Sequence, residues 1–240
     1  MQGFADMHMH CLYGVDDGAA DEAAMCSIVD ASYADGTRVI CATPHYHPYY
    51  FGDNRKGIAT AFQMLSAYAA EKYPDLTLVL GNEMRYSKEC TDWLREGSCR
   101  TLNGTRYALV DFRGDEPAEN IVNGMTRMLS AGYRPVLAHA ERYADFHRDM
   151  RELLTLRENG VIIQLDSTSL YGGWGGDSMR RSKRILTAGL YDVAASDGHD
   201  TSGRPPVLSK GYEYVALKCG QEYADHLYCA MPRSILGIEK

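Results

Sequence analysis

Short apolar runs recur along the chain, and nearly every one ends in a histidine or a carboxylate. The runs at 4–11, 38–44, 76–83, 107–112, 134–140, 161–168 and 192–197 predict seven strands. Helical patterns lie between them near 21–35, 55–73, 118–131, 149–159 and 177–189, with further helix near 207–219 and 221–230. Asp21 and Glu22 put an acidic start on the first helix and Gly36 ends it, while Gly132, Gly160 and Gly189 close later ones. Strands alternating with helices pair in parallel, which predicts an α/β architecture. A barrel is favoured over an open sheet. The chemistry-bearing residues sit at the ends of nearly all the strands, and only a barrel brings those ends to one face.

The pattern of those ends points to metal binding. The first run reads Asp6-Met-His8-Met-His10, and residues two apart on a strand project from one face. Thr43-Pro-His45, Gly81-Asn-Glu83, Leu109-Val-Asp111, Ala138-His139 and Ser196-Asp197-Gly-His199 end later runs in the same way. Five of the eight histidines fall at such positions. With Asp17 the donors are His8, His10, Asp17, His45, Glu83, Asp111, His139, Asp197 and His199. Nine donors are too many for one ion, so a cluster of two or three divalent ions is expected, with Glu83 bridging. Imidazole and carboxylate without thiolate suit manganese, iron or zinc. Such clusters lower the pKa of bound water and clamp phosphoryl oxygens. Arg142 follows His139 by three residues and Arg204 follows His199 by five. Their guanidinium forks match phosphate. His47 is open between a supporting donor and a loop residue, and Tyr171-Gly-Gly-Trp174-Gly-Gly between a surface loop and a flap over a ligand.

Composition narrows the picture further. A chain of 240 residues with 45% hydrophobic residues suits one domain spanning 1–240. A net charge of −7 argues against a general nucleic-acid binder. No apolar stretch approaches the roughly 20 residues that span a bilayer. The start of the chain lacks a secretory pattern, so a cytoplasmic location is expected. The seven cysteines form no Cys-x-x-Cys pair. Cys11 follows His10 as in cysteine phosphatases, but those enzymes need an arginine six residues on, where this chain has Asp17. No other cysteine has one there either, so a thiolate phosphatase is excluded.

Together the motifs resemble the polymerase-and-histidinol-phosphatase (PHP) superfamily, and within it the CpsB-type bacterial tyrosine-protein phosphatases. The resemblance runs over almost the whole chain. It is carried by Asp6-Met-His8-Met-His10, Val15-Asp-Asp17-Gly18, Thr43-Pro-His45, Gly81-Asn-Glu83, Tyr107-Ala-Leu-Val-Asp111, His139-Ala-Glu-Arg142-Tyr143, Ser196-Asp197-Gly-His199, Arg204-Pro-Pro206 and Pro232-Arg-Ser-Ile-Leu. It implies a distorted (β/α)7 barrel, TIM-barrel-like, with a trinuclear centre and manganese-favoured hydrolysis of phosphotyrosine. The implied partner is a bacterial tyrosine kinase controlling capsular or exopolysaccharide synthesis, with no membrane insertion. The nine donors match the family's metal positions, and Arg142 and Arg204 its phosphate contacts. His199 or Asp17 would supply a proton where one is needed. Two other readings stand beside this one: a small-molecule phosphomonoesterase acting on histidinol-phosphate-like or sugar phosphates, and a non-catalytic metal-binding regulator. The chain departs from its relatives at Asp111, where glutamate is usual. The expectation is that a shift of strand or ion keeps this shorter carboxylate on the centre.

Overall fold

Parallel strands form at each of the apolar runs in the computed structural model, which describes residues 3–147 and 150–238. In chain order the strands are β1 (Phe4–Met9), β2 (Thr37–Ala42), β3 (His45–Tyr46), β4 (Thr77–Leu80), β5 (Glu83–Arg85), β6 (Tyr107–Asp111), β7 (Arg134–Leu137), β8 (Ile162–Asp166) and β9 (Val193–Ala195). β1, β2 and β4 pair in that order, and β3, β5, β6, β7, β8 and β9 form a second parallel series.

Two of the seven expected strands are therefore each broken in two, and the sequence shows why. Pro44 has no N–H to continue a ladder, so the run over 38–44 stops at Ala42 and resumes at His45. The neighbouring run breaks at Gly81-Asn82. There Gly81 N–H donates to Ala42 O (2.9 Å) and the Asn82 side chain donates to Pro44 O (2.9 Å), so the gap is hydrogen-bonded across. The remaining gap closes at the other edge. His10 N–H donates to Gly198 O (2.9 Å) and Asp197 N–H to His8 O (3.0 Å), joining β1 to the end of β9. The result is a distorted, seven-stave α/β barrel.

The helices are α1 (Glu22–Ala34), α2 (Pro48–Phe51), α3 (Arg55–Lys72), α4 (Cys90–Glu96), α5 (Ala118–Ser130), α6 (Arg151–Glu158), α7 (Gly175–Thr187), α8 (Ser209–Cys219), α9 (Gln221–Asp225) and α10 (Met231–Leu236). Position 149, the expected start of one helix, lies outside the described residues. The two short helices α2 and α4 were not expected. Asp21 caps α1 by accepting from Ala24 N–H at 2.8 Å, as its position implies.

Ala5, Met7, Leu109, Val136, Ala138, Ile162, Val193 and Ala195 form one buried cluster with Ile235 and Leu236 of α10. Residues from so many staves meet only inside the barrel, so this cluster is its filled interior and α10 plugs the lower end. Between Asp6 and Met9, β1 advances three residues against two on β2. That bulge lets the chain change from core packing at Met7 to the site at His8 and His10. Among the described residues no helix is long and apolar enough to cross a membrane.

Candidate metal centre

All nine donors named from the sequence meet at the open end of the barrel. They fall into three overlapping groups: His10, Asp17, His45 and His199; His8, His10, Glu83 and Asp197; and Glu83, Asp111 and His139. Within each group one ligand atom per residue lies within 4.8 Å of the others. Cross-strand register makes two of the contacts. His45 pairs with Glu83, and Arg85 with Asp111, on adjacent parallel strands, so each pair of side chains points the same way.

The middle group is held by its outward hydrogen bonds. Gln164 Oε1 lies 3.1 Å from His8 Nδ1, and Asp16 Oδ2 lies 2.8 Å from His10 Nδ1. Both partners are oxygens that can only accept, so each imidazole spends its Nδ1 proton there. The two Nε2 atoms then face each other across 3.1 Å. Glu83 Oε2 lies 3.4 and 3.2 Å from these Nε2 atoms, and Asp197 Oδ1 3.1 and 3.3 Å. Four electron-rich atoms thus converge with no hydrogen of their own, in a place where every side chain is buried. Only a positive charge reconciles them. Without an ion that charge is a proton. Burial alone would lower the pKa of His8, but the Glu83 and Asp197 carboxylates outweigh it and push the value up to about 10. The donor set fits divalent cations of the manganese, iron or zinc kind.

The flanking groups repeat the arrangement. His199 Nδ1 donates to Asp197 O (2.7 Å), which leaves its buried Nε2 unpartnered and 3.4 Å from Asp17 Oδ1. His45 Nδ1 lies 2.9 Å from Glu83 Oε2 and its Nε2 3.5 Å from Asp17 Oδ1. Glu83 turns its other oxygen to His139 Nε2 at 3.1 Å. One carboxylate therefore spans two of the three groups, the geometry of a bridge. His139 and Asp197 adopt left-handed backbone conformations (φ 34° and 52°). Such strain outside glycine is costly, and here it aims two donors. Gly18 is required by close approach, since a Cβ there would lie 2.0 Å from His10 O.

Asp111 reaches the centre in spite of its short arm. Its Oδ1 faces His139 Nε2 at 3.7 Å, and its Oδ2 is held by Arg85 Nη2 at 2.8 Å. Burial and the Glu83 charge push its pKa up to about 7.

The two arginines are differently placed. Arg142 is largely buried. Its Nη2 is shared between the Asp166 and Asp197 carboxylates, and Trp174 lies flat against it, 3.5 Å from guanidinium carbon to ring centroid. Arg142 therefore contacts one of the metal donors, Asp197, directly. Arg204 Nη2 donates to Asp17 Oδ2 at 3.0 Å beside the opening. The nearby His199 imidazole, with His45 and His10 behind it, holds the Asp17 carboxyl well below the usual range, so Asp17 is an anion and a poor proton donor. Of the glycine-rich segment, Trp174 lines the cavity over the donors whereas Tyr171 does not, and Gly175-Gly176 begin α7. His47 does not join the donors; it caps α2 by accepting from Tyr49 N–H at 3.2 Å. Cys11 is buried, its thiol pushed up to about 12.

Several contributors were missed from the sequence: Asp16, Gln164, Asp166, Glu141 and Arg85. Gln164 and Asp166 did carry a signal, because polar residues two apart interrupt the apolar run Val161-Ile-Ile-Gln164-Leu-Asp166. Glu141 accepts from Asp166 N–H (3.1 Å) and Tyr191 OH (3.0 Å), fixing the loop that carries Arg142.

A family model described as capsular polysaccharide synthesis, CpsB/CapC, matches residues 4–237. A tyrosine-protein phosphatase CpsB from Streptococcus pneumoniae is 30% identical over 236 residues, covering 96% of this chain and 97% of that protein. A solved structure from work on YwqE from Bacillus subtilis and CpsB from Streptococcus pneumoniae, metal-dependent tyrosine phosphatases, superposes with a TM-score of 0.88. It is 27% identical and covers 98% of this chain and 95% of that one. A phosphotriesterase from Mycobacterium tuberculosis, 12% identical with a TM-score of 0.58 over 98% of this chain and 94% of that one, shares the fold.

Proposed function

The chain belongs to the CpsB/CapC capsular polysaccharide synthesis family, and from that premise we propose that it is a metal-dependent protein-tyrosine phosphatase. The observation that carries the reading is the facing pair of His8 and His10 Nε2 atoms between Glu83 and Asp197, a site that demands a cation. The nine donors would hold two or three divalent ions, manganese by preference, with iron or zinc also suited to the donor set. When bound, such ions supply a nucleophilic water at neutral pH and neutralise phosphoryl oxygens.

The chain's own residues do the rest. His8 and His10 are fixed in one tautomer by Gln164 and Asp16, so both Nε2 atoms are ready as donors. Arg142 is oriented on three sides by Asp166, Asp197 and Trp174, and its buried Nε N–H has no partner among the described residues. That N–H is free for a phosphoryl oxygen. Arg204 stands on the Asp17 side of the same 260 Å³ cavity. Phe112 and Trp174 line it as well and give a phenyl ring apolar walls. Tyrosine departs as a phenol of pKa about 10, so a strong general acid is unnecessary. His199, whose Nε2 faces the cavity donors, is better suited than Asp17 to manage that proton. We further propose that the phosphotyrosine is carried by a bacterial tyrosine kinase serving capsule or exopolysaccharide synthesis, a reading supported by the family's tie to capsular polysaccharide synthesis.

The test is hydrolysis by the purified, manganese-loaded protein. A phosphotyrosine peptide should turn over far faster than sugar or amino-alcohol phosphates, with activity lost on chelation. Preference for the small phosphates would move the assignment to a small-molecule phosphomonoesterase. Bound metal with no turnover of any ester would leave a regulator.

A further inference from the structure

A cavity larger than the one over the metal donors lies beside it. It is a groove of about 1250 Å³ that shares Arg85 and Phe112 with the smaller metal-site cavity. The two cavities therefore adjoin, and a ligand long enough to extend from the donors past Arg85 and Phe112 enters this groove. Its volume exceeds the range of ordinary small-molecule pockets, roughly 300–1,000 Å³, and suits several residues of an extended chain. One wall is the segment after β5 with Lys88, the other is the exposed face of α5 with Arg127, and Tyr50 and Phe51 form an aromatic rim. Phe51 stacks on the donor His45 with ring centroids 4.8 Å apart, so groove and metal site share a wall.

Charge decides what the groove takes. The whole chain carries −7, yet this surface is positive. It presents Arg85, Lys88, Arg113 and Arg127 against Glu116. Arg113 is matched by Asp115 at 3.0 Å, and Asn120 donates to Glu116 at 2.7 Å. Lys88 and Arg127 are exposed and in no ion pair among the described residues. Arg85 stands at the junction, fixed by its register partner Asp111 at 2.8 Å with its side chain 31% exposed.

We propose that this groove is a specificity site that reads acidic residues flanking the phosphotyrosine of an extended polypeptide, through Arg85 at the junction and Lys88 and Arg127 along the walls. The proposal rests on the phosphotyrosine reading of the adjoining site.

The experiment uses the manganese-loaded protein and the double variant Lys88→Glu/Arg127→Glu. Binding is read by fluorescence anisotropy with labelled peptides bearing a non-hydrolysable phosphonomethyl analogue of phosphotyrosine, flanked either by glutamates or by lysines. The wild type should bind the glutamate peptide more tightly, and the double reversal should weaken it about tenfold and erase the preference. Raising the salt should shrink the difference. In parallel, kcat/KM on the hydrolysable glutamate peptide should fall relative to that on p-nitrophenyl phosphate, which is too short to reach the groove, and the loss should lie in KM. Equal affinity for the two peptides, or a double variant that binds the glutamate peptide as the wild type does, overturns the groove assignment. Failure to hydrolyse any phosphotyrosine substrate, with the charge-dependent binding intact, overturns the catalytic reading instead.

Discussion

Asp16→Ala removes a side chain that touches no substrate, and both the stability of the metal-free protein and its hold on metal should fall. The Asp16 carboxylate is buried and accepts three hydrogen bonds: from His10 Nδ1 at 2.8 Å, His45 N–H at 2.9 Å and Gly18 N–H at 3.0 Å. Truncation leaves three buried donors unpaired, at about 1–3 kcal/mol each. Taking the low end, because the space left can admit water, the loss is about 3 kcal/mol. For a chain of this size each kcal/mol moves the melting temperature by about 2–4 °C, so a drop of about 6–12 °C is expected in chelator. The second effect is separate. Without its acceptor His10 no longer has a fixed tautomer or ring orientation, and loss of such a partner costs about 10–100-fold in metal affinity. Differential scanning calorimetry in chelator and calorimetric titration with manganese measure the two effects independently. Asp16→Asn should fall between, since an amide oxygen in the Oδ2 position still accepts from His10 and from His45 N–H, but its NH2 group cannot accept from Gly18 N–H. An unchanged manganese Kd in Asp16→Ala would refute the orienting role, whatever the melting temperature does.

Arg142→Ala should cost about 2–4 kcal/mol in kcat/KM, the range for one lost charged donor. Metal content measured by mass spectrometry should also dip, because Arg142 holds Asp197. Unchanged kinetics would leave Arg142 with only its structural contacts. Cys11→Ser should leave activity nearly intact, whereas chelation abolishes it and manganese restores it; inactivation by alkylation of Cys11 with metals still bound would contradict this. Metal uptake should release protons. His8 is raised from 6.5 to about 10 by Glu83 and Asp197, which outweigh burial. Its contribution to the stability of the metal-free protein is therefore full below pH 6.5 and lost as pH rises towards 10. Asp111, raised to about 7, acts in the same sense through pH 7. Manganese affinity should accordingly rise with pH across this window, and calorimetry in buffers of different ionisation enthalpy should detect the proton; a pH-independent Kd would refute it. Arg85→Met should lower metal content by unpinning Asp111, and a full complement of metal would show that Asp111 keeps its position without Arg85.

What the sequence made legible was set by local rules. Two-residue parity on a strand, helix caps and glycine stops are near-neighbour effects, and they place the staves and bring all nine donors to the same end of the barrel. What escaped depends on partners far along the chain. Asp16 and Asp17 are adjacent and chemically identical, yet one is buried under His10 and His45 while the other is half-exposed beside His199 and Arg204. Nothing local distinguishes them. The sequence did say that a carboxylate pair lies there, but the assignment of roles needs the loop's return to the histidines, enforced by Gly18. Arg85 escaped for a similar reason. It stands two residues beyond Glu83, and only the β5–β6 register sets it opposite Asp111.

That register also answers the arithmetic of the missing methylene. A carboxylate on a shorter arm is less constrained, since a bond to a metal cannot stretch by a methylene's length. Left alone at the end of β6, Asp111 would turn to whichever donor reaches it first. Arg85 is that donor, but it sits on the neighbouring strand, on the same face, and takes only Oδ2. The opposite oxygen accepts from Tyr143 OH at 3.4 Å and faces His139 Nε2 at 3.7 Å. The Oδ2 contact also fixes Arg85 at the mouth of the basic groove with part of its guanidinium exposed. One ion pair thus serves both the centre and its entrance, and a glutamate at 111 would have to be accommodated against Arg85 as well as against the ion. Restoring the longer side chain by Asp111→Glu should therefore not improve the enzyme by itself. It should do so only when Arg85 is shortened too, a non-additive pair that a double-mutant cycle on metal affinity would expose.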